Sequence, residues 1–296
     1  MSMTLSYVGK NLKAFWELTR LDHGLMLGIA ILVGAVISSK DFFHQPAKLF
    51  FAFLTALFLQ MSTFSLNDYL DLEIDKRNRR VDRPLVRGDL KPKDALIISM
   101  VLFPLGIAFS IFVNPICFII ALVSGLLGVA YDFKMKKIKY VGNLYIAYTT
   151  AIPFIFGSLS VSSLHYAVIV LAMIAFIASL GREMMKDIMD IDGDRAEGVK
   201  SIPMYLGERK TCLIISLLYM LAVLLSLLPF LFFKDTMFYL NHLYLCLILL
   251  TDGIFIYLSI RHIMKMEHPF ERYRMISLAG MMMGLFAFLL GGILKL

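Results

Sequence analysis

Residues 49–75 read LFFAFLTALFLQMSTFSLNDYLDLEID, an apolar run of about 20 residues that passes directly into a cluster of carboxylates. As a helix, a run of this length crosses about 30 Å of hydrocarbon, so the segment predicts a membrane span. The carboxylates follow at the point where the span leaves the bilayer. The stretch therefore predicts a membrane fold with a polar site at the membrane surface.

The same apolar pattern recurs along the chain, whose 296 residues are 59% hydrophobic and 17% charged, with a mean hydropathy of +0.77. This composition is too apolar for a soluble domain. Helices satisfy their own backbone groups in lipid, so we predict one all-α integral domain over 1–296, a polytopic bundle of nine transmembrane helices around a central cavity with cytoplasmic cap loops. The nine apolar runs lie at 21–39, 49–70, 94–113, 115–132, 141–162, 165–185, 211–233, 241–260 and 275–294.

Lysine and arginine are distributed unevenly between the connections. When alternate connections are grouped, 25 of the 29 basic residues fall on the side of the N-terminus, and the other side holds Lys40, Lys48, Lys234 and Lys295. Basic residues stay in the cytoplasm, so we predict a cell-membrane protein with its N-terminus inside and both acidic segments at the cytoplasmic face. The net charge of +7 is then explained by anionic lipid headgroups, and no nucleic-acid partner is expected.

The first acidic segment places its oxygen-bearing side chains on one face. If the helix continues, Asn67, Asp71 and Asp75 lie within about 80° of one another, and Asp68 lies about 20° further round. Glu73 points elsewhere. Four polar side chains would therefore face one way.

The second acidic segment, 187–194, extends the sixth apolar run and has a similar pattern. Asp187, Asp190 and Asp194 fall within about 60° of one another, together with Glu183, provided that Gly193 does not end the helix.

Carboxylates stacked at this spacing repel one another, which favours a bound cation over simply solvated helix ends. Hard carboxylate and amide oxygens without His or Cys suit Mg²⁺, which shares its ligand shell with substrate phosphates. We therefore expect the two segments to form one magnesium site for a diphosphate.

The two segments align at a constant offset of 119 residues, which also pairs two prolines and two glycines. The pairs are Asp68 with Asp187, Asp71 with Asp190, Asp75 with Asp194, Pro84 with Pro203, and Gly88 with Gly207. The alternative is chance matching within two acidic loops. We predict an internal repeat in which a four-span unit at 49–162 recurs at 165–294.

The pattern Asn67-Asp68-x-x-Asp71-x-x-x-Asp75 with Asp82-Arg83-Pro84, and Asp187-x-x-Asp190-x-x-x-Asp194 with Gly198 and Pro203, resembles the UbiA intramembrane prenyltransferases. The resemblance covers nearly the whole chain. Within that family, the stretch Arg182-Glu183 before Lys186-Asp187, together with Asp190-Ile191-Asp192-Gly193-Asp194, is most similar to the archaeal digeranylgeranylglyceryl phosphate synthases.

The resemblance implies a set of roles for these residues. Mg²⁺ ions bridging a prenyl diphosphate would be held by Asn67, Asp71, Asp75, Asp187, Asp190 and Asp194, with Asp68 as a metal ligand or a supporting partner. Asp71, Asp75, Asp190 and Asp194 are the expected catalytic residues. Candidate diphosphate-binding residues are Arg83, Tyr131, Lys136, Arg182 and Lys186.

Several of these assignments have alternatives. The family's Lys four residues after a Tyr is replaced here by Met135, so Lys134, Lys136 and Lys137 all remain candidates, or are simply cytoplasmic basic residues. Arg20 and His23 are expected to contact the acceptor, although His23 also suits a plain interfacial side chain. Tyr145 and Tyr148 are candidates for cation-π contact with an allylic cation, or for packing; none of these choices is decided by the sequence.

The resemblance implies transfer of a prenyl group, expected to be geranylgeranyl, from its diphosphate through an allylic carbocation. The expected acceptor is the lipid geranylgeranylglyceryl phosphate, with an aromatic acid such as 4-hydroxybenzoate as the alternative. A cation carrier or channel is the non-enzyme alternative. A CDP-alcohol phosphotransferase is disfavoured, because Asp192-Gly193-Asp194-Arg195-Ala196 breaks the spacing of its Asp-Gly-x-x-Ala-Arg motif.

Overall fold

The computed structural model describes residues 2–197, 199–264 and 269–295, so Gly198 of the second motif lies outside the described residues. The α-helices are α1 Ser2–Thr19, α2 Leu21–Ser38, α3 Pro46–Leu70, α4 Leu72–Arg77, α5 Pro84–Arg87, α6 Pro92–Ile111, α7 Pro115–Phe133, α8 Lys139–Val161, α9 Tyr166–Met189, α10 Ile191–Glu197, α11 Ile202–Leu206, α12 Glu208–Ser226, α13 Leu228–Phe232, α14 His242–Ile263 and α15 Phe270–Ile293. Short 3₁₀ helices cover Phe42–His44 and Met135–Lys137.

Within the described ranges, nine helical segments are long and apolar enough to cross a membrane, and α12 with α13 counts as one of them. The all-α, nine-span prediction is confirmed. The main difference from the predicted helix ends is at the last span, which was predicted to begin at residue 275. Helix α15 begins at Phe270, because a charged first turn precedes its apolar part. The N-terminal helix α1 was not expected, since polar residues interrupt its apolar pattern.

The chain divides into two compact units, of which the first comprises Met1–Gly28 and Pro46–Phe133. Helices α3, α6 and α7 pack against one another. The buried Ser62 hydroxyl donates to the Ser99 carbonyl at 2.9 Å, which links α3 to α6 with a small polar side chain. The short helices α4 and α5 are tied to α1 by an apolar cluster that includes Leu18, Leu72 and Leu85.

The second unit comprises Ile29–Gln45 and Lys134–Leu296. Helix α9 packs against α8, α12 and α15, and α14 packs against α12 and α15. Ser216 on α12 donates to the Ser259 carbonyl on α14 at 3.1 Å, while the rings of Tyr219 and Tyr244 are fully buried in the apolar clusters. The second acidic motif therefore starts from a well-packed helix.

Within this second unit, the C-terminal half of α2 meets α8 at two glycines. A Cβ atom at Gly34 would overlap the carbonyl oxygen of Phe154, and one at Gly157 would overlap the carbonyl oxygen of Ile31. Both glycines are needed because the two backbones are in direct contact, as at other small-residue helix crossings in membranes.

We expect Gly157→Ala to lower the free energy of unfolding in detergent by roughly 1–3 kcal/mol, because a backbone neighbour cannot move aside cheaply. Gly253→Ala on α14 is the matched control, since nothing lies within 4 Å of the position that its methyl group would take, and it should be neutral or slightly stabilising. Denaturant titration followed by circular dichroism measures both. Equal stability of the two variants would contradict the proposed close contact.

Candidate active site

Arg20 occupies the sharp turn between α1 and α2, with a φ of 49° that non-glycine residues rarely adopt. Three contacts hold it there. Its guanidinium lies 4.1 Å from the ring centroid of Phe64, its Nη2 donates to Asp68 Oδ1 at 3.1 Å, and its carbonyl accepts from Gln60 at 2.9 Å. A strained backbone fixed by three partners is typical of a functional position.

Asp68 is the buried centre of this first cluster, with its side chain only 1% exposed. The same Oδ1 that accepts from Arg20 also accepts from Arg83, which stands just before the first turn of α5. Asp68 Oδ2 has no hydrogen-bond partner among the described residues. The ion pair between Arg83 and Asp68 thus links the start of the short helix α5 to α3.

The helix carrying the first motif bends at Asp71. The backbone at Asp71 has φ −90° and ψ 0°, between α3 and α4, yet its N–H still bonds the Asn67 carbonyl at 2.9 Å and its carbonyl accepts from Asp75 at 2.8 Å. Beyond the bend Asp75 is buried, whereas Glu73 is exposed and pairs with Lys76. Burial raises the pKa of the Asp75 carboxyl, although Arg83 and Arg80 oppose the shift.

The side chain of Asn67 forms a hydrogen bond with Asp132, a residue that was not a candidate from the sequence. Its side-chain amide donates to Asp132 Oδ1 at 2.9 Å, and Asp132, near the end of α7, is buried. Asp132 follows Tyr131 directly in the sequence, so its position beside a candidate diphosphate ligand was an available signal.

The second motif bends in the same way, at Asp190, where φ is −94° and ψ is 2°. Its N–H bonds the Lys186 carbonyl at 3.1 Å and its carbonyl accepts from Asp194 at 2.9 Å. Gly193 does not end the helix, because α10 runs through it to Glu197. Asp187 and Asp194 are buried, and Asp192, equivalent to Glu73 at the 119-residue offset, is exposed.

Lys139, the first residue of α8, lies among the three aspartates of this motif. Its Nζ is 2.8 Å from Asp194 Oδ2, 3.2 Å from Asp190 Oδ2 and 3.5 Å from Asp187 Oδ1. On the same helix Asn143 donates to Asp187 Oδ2 at 2.6 Å. Neither Lys139 nor Asn143 was a candidate, because one lysine among several in the same connection and one polar residue inside a span do not stand out in the sequence.

Other candidates have more local roles in the structure. Arg182 pairs with Glu183 at 3.2 Å, and Lys186 lies 3.9 Å from the same carboxylate. His23 bonds the neighbouring Asp22 at 3.1 Å. Tyr131 lies in the last turn of α7 and Lys136 in the following 3₁₀ helix.

The two motifs share backbone details at the predicted offset. Five residues after the last aspartate, the N–H of Arg80 bonds the Asp75 carbonyl at 3.0 Å, and that of Val199 bonds the Asp194 carbonyl at 2.9 Å. The short helices α5 and α11 follow the two motifs: α5 begins at Pro84, and α11 begins one residue before Pro203. The residue after each helix is a glycine, Gly88 with a φ of 76° and Gly207 with a φ of 79°. Positive φ explains why both positions are glycine. The internal repeat itself stays a prediction.

The donor set suits a hard divalent cation, although protein cations pair here with Asp68 and with the three aspartates of the second motif. Among the described residues, no three His, Cys, Asp or Glu side chains are grouped as metal ligands. However, the Lys139 ammonium shows that Asp187, Asp190 and Asp194 can surround one cation. Their oxygens are of the type that Mg²⁺ prefers, and so, separately, is Asp68 Oδ2, which accepts no hydrogen bond from the described residues.

Comparison with known proteins identifies the class. The profile of the UbiA prenyltransferase family matches residues 27–291, and the chain belongs to this family. The resemblance inferred from the two motifs is thereby confirmed, as is the expectation of a multi-pass integral membrane enzyme.

The chain is 41% identical, over 282 residues, to the digeranylgeranylglyceryl phosphate synthase of Archaeoglobus fulgidus, and the match covers 95% of both chains. It is similar to a solved digeranylgeranylglyceryl phosphate synthase, with a TM-score of 0.79 and 32% identity over 96% of this chain and 99% of the other. A UbiA homologue from Archaeoglobus fulgidus bound to GPP and Mg²⁺ shares the fold, with a TM-score of 0.57 and 16% identity over 93% of this chain and 99% of the other.

The double pairing of Asp68 predicts non-additive stability. We expect Arg20→Met and Arg83→Met each to be tolerated with a modest loss, because one guanidinium still neutralises the buried carboxylate. The double variant should lose about 0.5–3 kcal/mol more than the sum of the single losses, since it leaves the carboxylate unpaired. Denaturant unfolding in detergent measures the cycle. In an Asp68→Asn background this excess should vanish, and strict additivity with Asp68 present would contradict the shared ion pair.

Proposed function

We propose that this protein transfers a geranylgeranyl group from geranylgeranyl diphosphate to geranylgeranylglyceryl phosphate, with Mg²⁺ as cofactor, in archaeal ether-lipid synthesis. The observation that carries the proposal is the presence of both acidic motifs in a chain that matches the UbiA family over residues 27–291. The choice of acceptor follows the 41% identity to a digeranylgeranylglyceryl phosphate synthase over nearly the full length of both chains.

The carboxylates of both motifs are assigned to the metal and the diphosphate. Asp71 and Asp75 hold magnesium in the first motif, supported by Asn67 and Asp68. Asp187, Asp190 and Asp194 do so in the second. The bend at the middle aspartate of each motif supports this assignment, because it gives both motifs the same backbone geometry. That the two motifs serve a single diphosphate stays a prediction from the sequence.

Basic side chains beside the aspartates are assigned to the diphosphate. Arg83 presents a planar guanidinium of which one nitrogen bonds Asp68, so its other donors suit phosphate oxygens. Arg182, Lys186, Lys136 and Tyr131 are the further candidates. Lys186 lies in the last turn of α9 beside Asp187, and Tyr131 precedes Asp132, which accepts from Asn67; these two positions support the role.

We assign an apolar groove of about 270 Å³ to part of the isoprenoid chain. It lies between α8 and α9 and is lined by Tyr148, Ile152, Ile155, Met173 and Phe176 among others. The same two helices carry Asn143 and Asp187 closer to the cytoplasmic ends assigned by charge. Of the two tyrosines proposed to contact the allylic cation, Tyr148 lines the groove. The centroid of its ring lies 6.4 Å from that of Tyr145.

In the proposed reaction, the bond between C1 of the allylic group and the diphosphate oxygen breaks, and diphosphate leaves with the electron pair. Magnesium held by the aspartates of the two motifs would neutralise the negative charge that develops on the leaving group. The basic side chains donate to the same oxygens, and the apolar helices exclude water from the cation. The free glycerol hydroxyl oxygen of the acceptor then bonds to C1, and its proton passes to the released diphosphate, which leaves an ether as the product.

Arg20 and His23 are assigned to the acceptor's phosphate. Arg20 supports the role, because its strained turn and three contacts hold a cation at the start of α2. Burial lowers the pKa of Arg20, and the positive charge of nearby Arg83 lowers it further. Both effects disfavour the charged guanidinium, so an anion bound beside Arg20 would stabilise it.

The active site is assigned to the cytoplasmic face, with the N-terminus inside, on the strength of the basic-residue count. We expect a cysteine introduced as Lys234→Cys, in a background without native cysteines, to react with an impermeant maleimide added to intact cells. Lys91→Cys should react only after the membrane is opened. The reverse labelling pattern would invert the assigned topology.

The assay that tests the function offers purified protein radiolabelled geranylgeranyl diphosphate, Mg²⁺ and one acceptor at a time. We expect an ether lipid with geranylgeranylglyceryl phosphate, no product with 4-hydroxybenzoate, and no product with either acceptor in the presence of EDTA. Prenylated 4-hydroxybenzoate without ether lipid would replace the acceptor. Metal flux through liposomes without any turnover would favour a cation carrier instead.

A further inference from the structure

Lys139 is the cation around which the second acidic motif is arranged. Its ammonium contacts all three aspartates, at 2.8–3.5 Å, and its side chain is only 19% exposed. Three carboxylates on one cation resemble the arrangement that a hard metal ion would adopt with the same oxygens.

The backbone around Lys139 holds the ammonium in this position. Lys139 is the first residue of α8, and its N–H donates to the Lys200 carbonyl at 3.0 Å beside an isolated parallel bridge between Ile138 and Lys200. One helical turn further on, Asn143 orients Asp187. The lysine is therefore anchored to the segment that follows the motif, and its position is not that of a freely rotating surface side chain.

We propose that Lys139 is a built-in counter-ion that a divalent cation must displace, so that it sets the metal affinity of the second motif. The inference rests on the proposed function, in which Asp187, Asp190 and Asp194 bind magnesium. Without metal, the ammonium reduces the repulsion among the three carboxylates. When metal binds, the ammonium leaves the carboxylate oxygens, and its flexible stem keeps a positive charge beside the motif.

Charge accounts for the expected effect of removing Lys139. Three ionised aspartates and one lysine carry a net charge of about −2, whereas the aspartates alone carry about −3, so an incoming divalent cation is attracted more strongly. It also meets no competitor. A lysine that instead supported metal binding would give the opposite result when it is replaced.

The test is an electron paramagnetic resonance titration of purified protein in detergent with Mn²⁺, without prenyl diphosphate. We expect Lys139→Met to bind Mn²⁺ more tightly than the wild type, by about 5–150-fold, the usual range for coupling between two ligands. Lys210→Met, at an exposed lysine in the first turn of α12, is the matched control and should change affinity less than twofold.

The result that overturns the inference is unchanged or weaker Mn²⁺ binding by Lys139→Met. Asp190→Asn separates this failure from that of the proposed function. If Asp190→Asn weakens Mn²⁺ binding while Lys139→Met has no effect, the metal site stands and the counter-ion role is wrong. If wild type binds no Mn²⁺ that depends on Asp190, both proposals fail.

A second measurement uses only the wild-type protein, in case the variant does not fold. Lysines are acetylated by a brief pulse of acetic anhydride, with and without saturating Mg²⁺, and quantified by mass spectrometry. We expect Mg²⁺ to increase the acetylation of Lys139 at least twofold and to leave Lys210 unchanged. Equal acetylation of Lys139 in both conditions would show that the ammonium stays on the carboxylates.

Discussion

Burial of aspartates at the ends of membrane helices requires a compensating cation, and this requirement organises both acidic motifs. A carboxylate removed from water is stable only when it is paired and hydrogen-bonded. Asp68 meets the requirement with Arg20 and Arg83, and the second motif meets it with Lys139. These cations come from the turn between α1 and α2, from the residue before α5 and from the first residue of α8, so charge pairing fixes the surrounding segments.

The same pairing is compatible with the proposed role of each motif in diphosphate binding. Asp71 and Asp190 stand where the helix bends without losing its hydrogen bonds, in a backbone region that active-site residues often occupy. Arg20 and Arg83 on Asp68, and Lys139 on the second motif, are donors of the type that phosphate oxygens accept from. In the proposed function, the paired aspartates are neutralised both with and without ligands. Protein cations neutralise them before the metal and the anionic substrate bind, and the metal does so afterwards.

The nine spans were predictable because a run of about 20 apolar residues has the length that a helix needs to cross the hydrocarbon core. The outward direction of Glu73, which is exposed beside buried Asp75, also followed from helical spacing. The bends were not predictable, since one altered backbone angle leaves the residue pattern unchanged. Lys139 was missed because the preference for cytoplasmic positive charge accounts for every nearby lysine equally well, and only tertiary packing distinguishes it.

The central claim is that, in each motif, the face that carries Asp71 or Asp190 binds the metal and the diphosphate. Turnover by four matched variants tests this claim most directly. Asp71→Asn and Asp190→Asn should each reduce geranylgeranyl transfer at least about a hundredfold while circular dichroism and melting stay near wild type. Glu73→Gln and Asp192→Asn remove one charge from the same segments on the exposed face and should keep most activity. Near-normal turnover by either Asp71→Asn or Asp190→Asn, or equal losses in all four variants, would contradict the account.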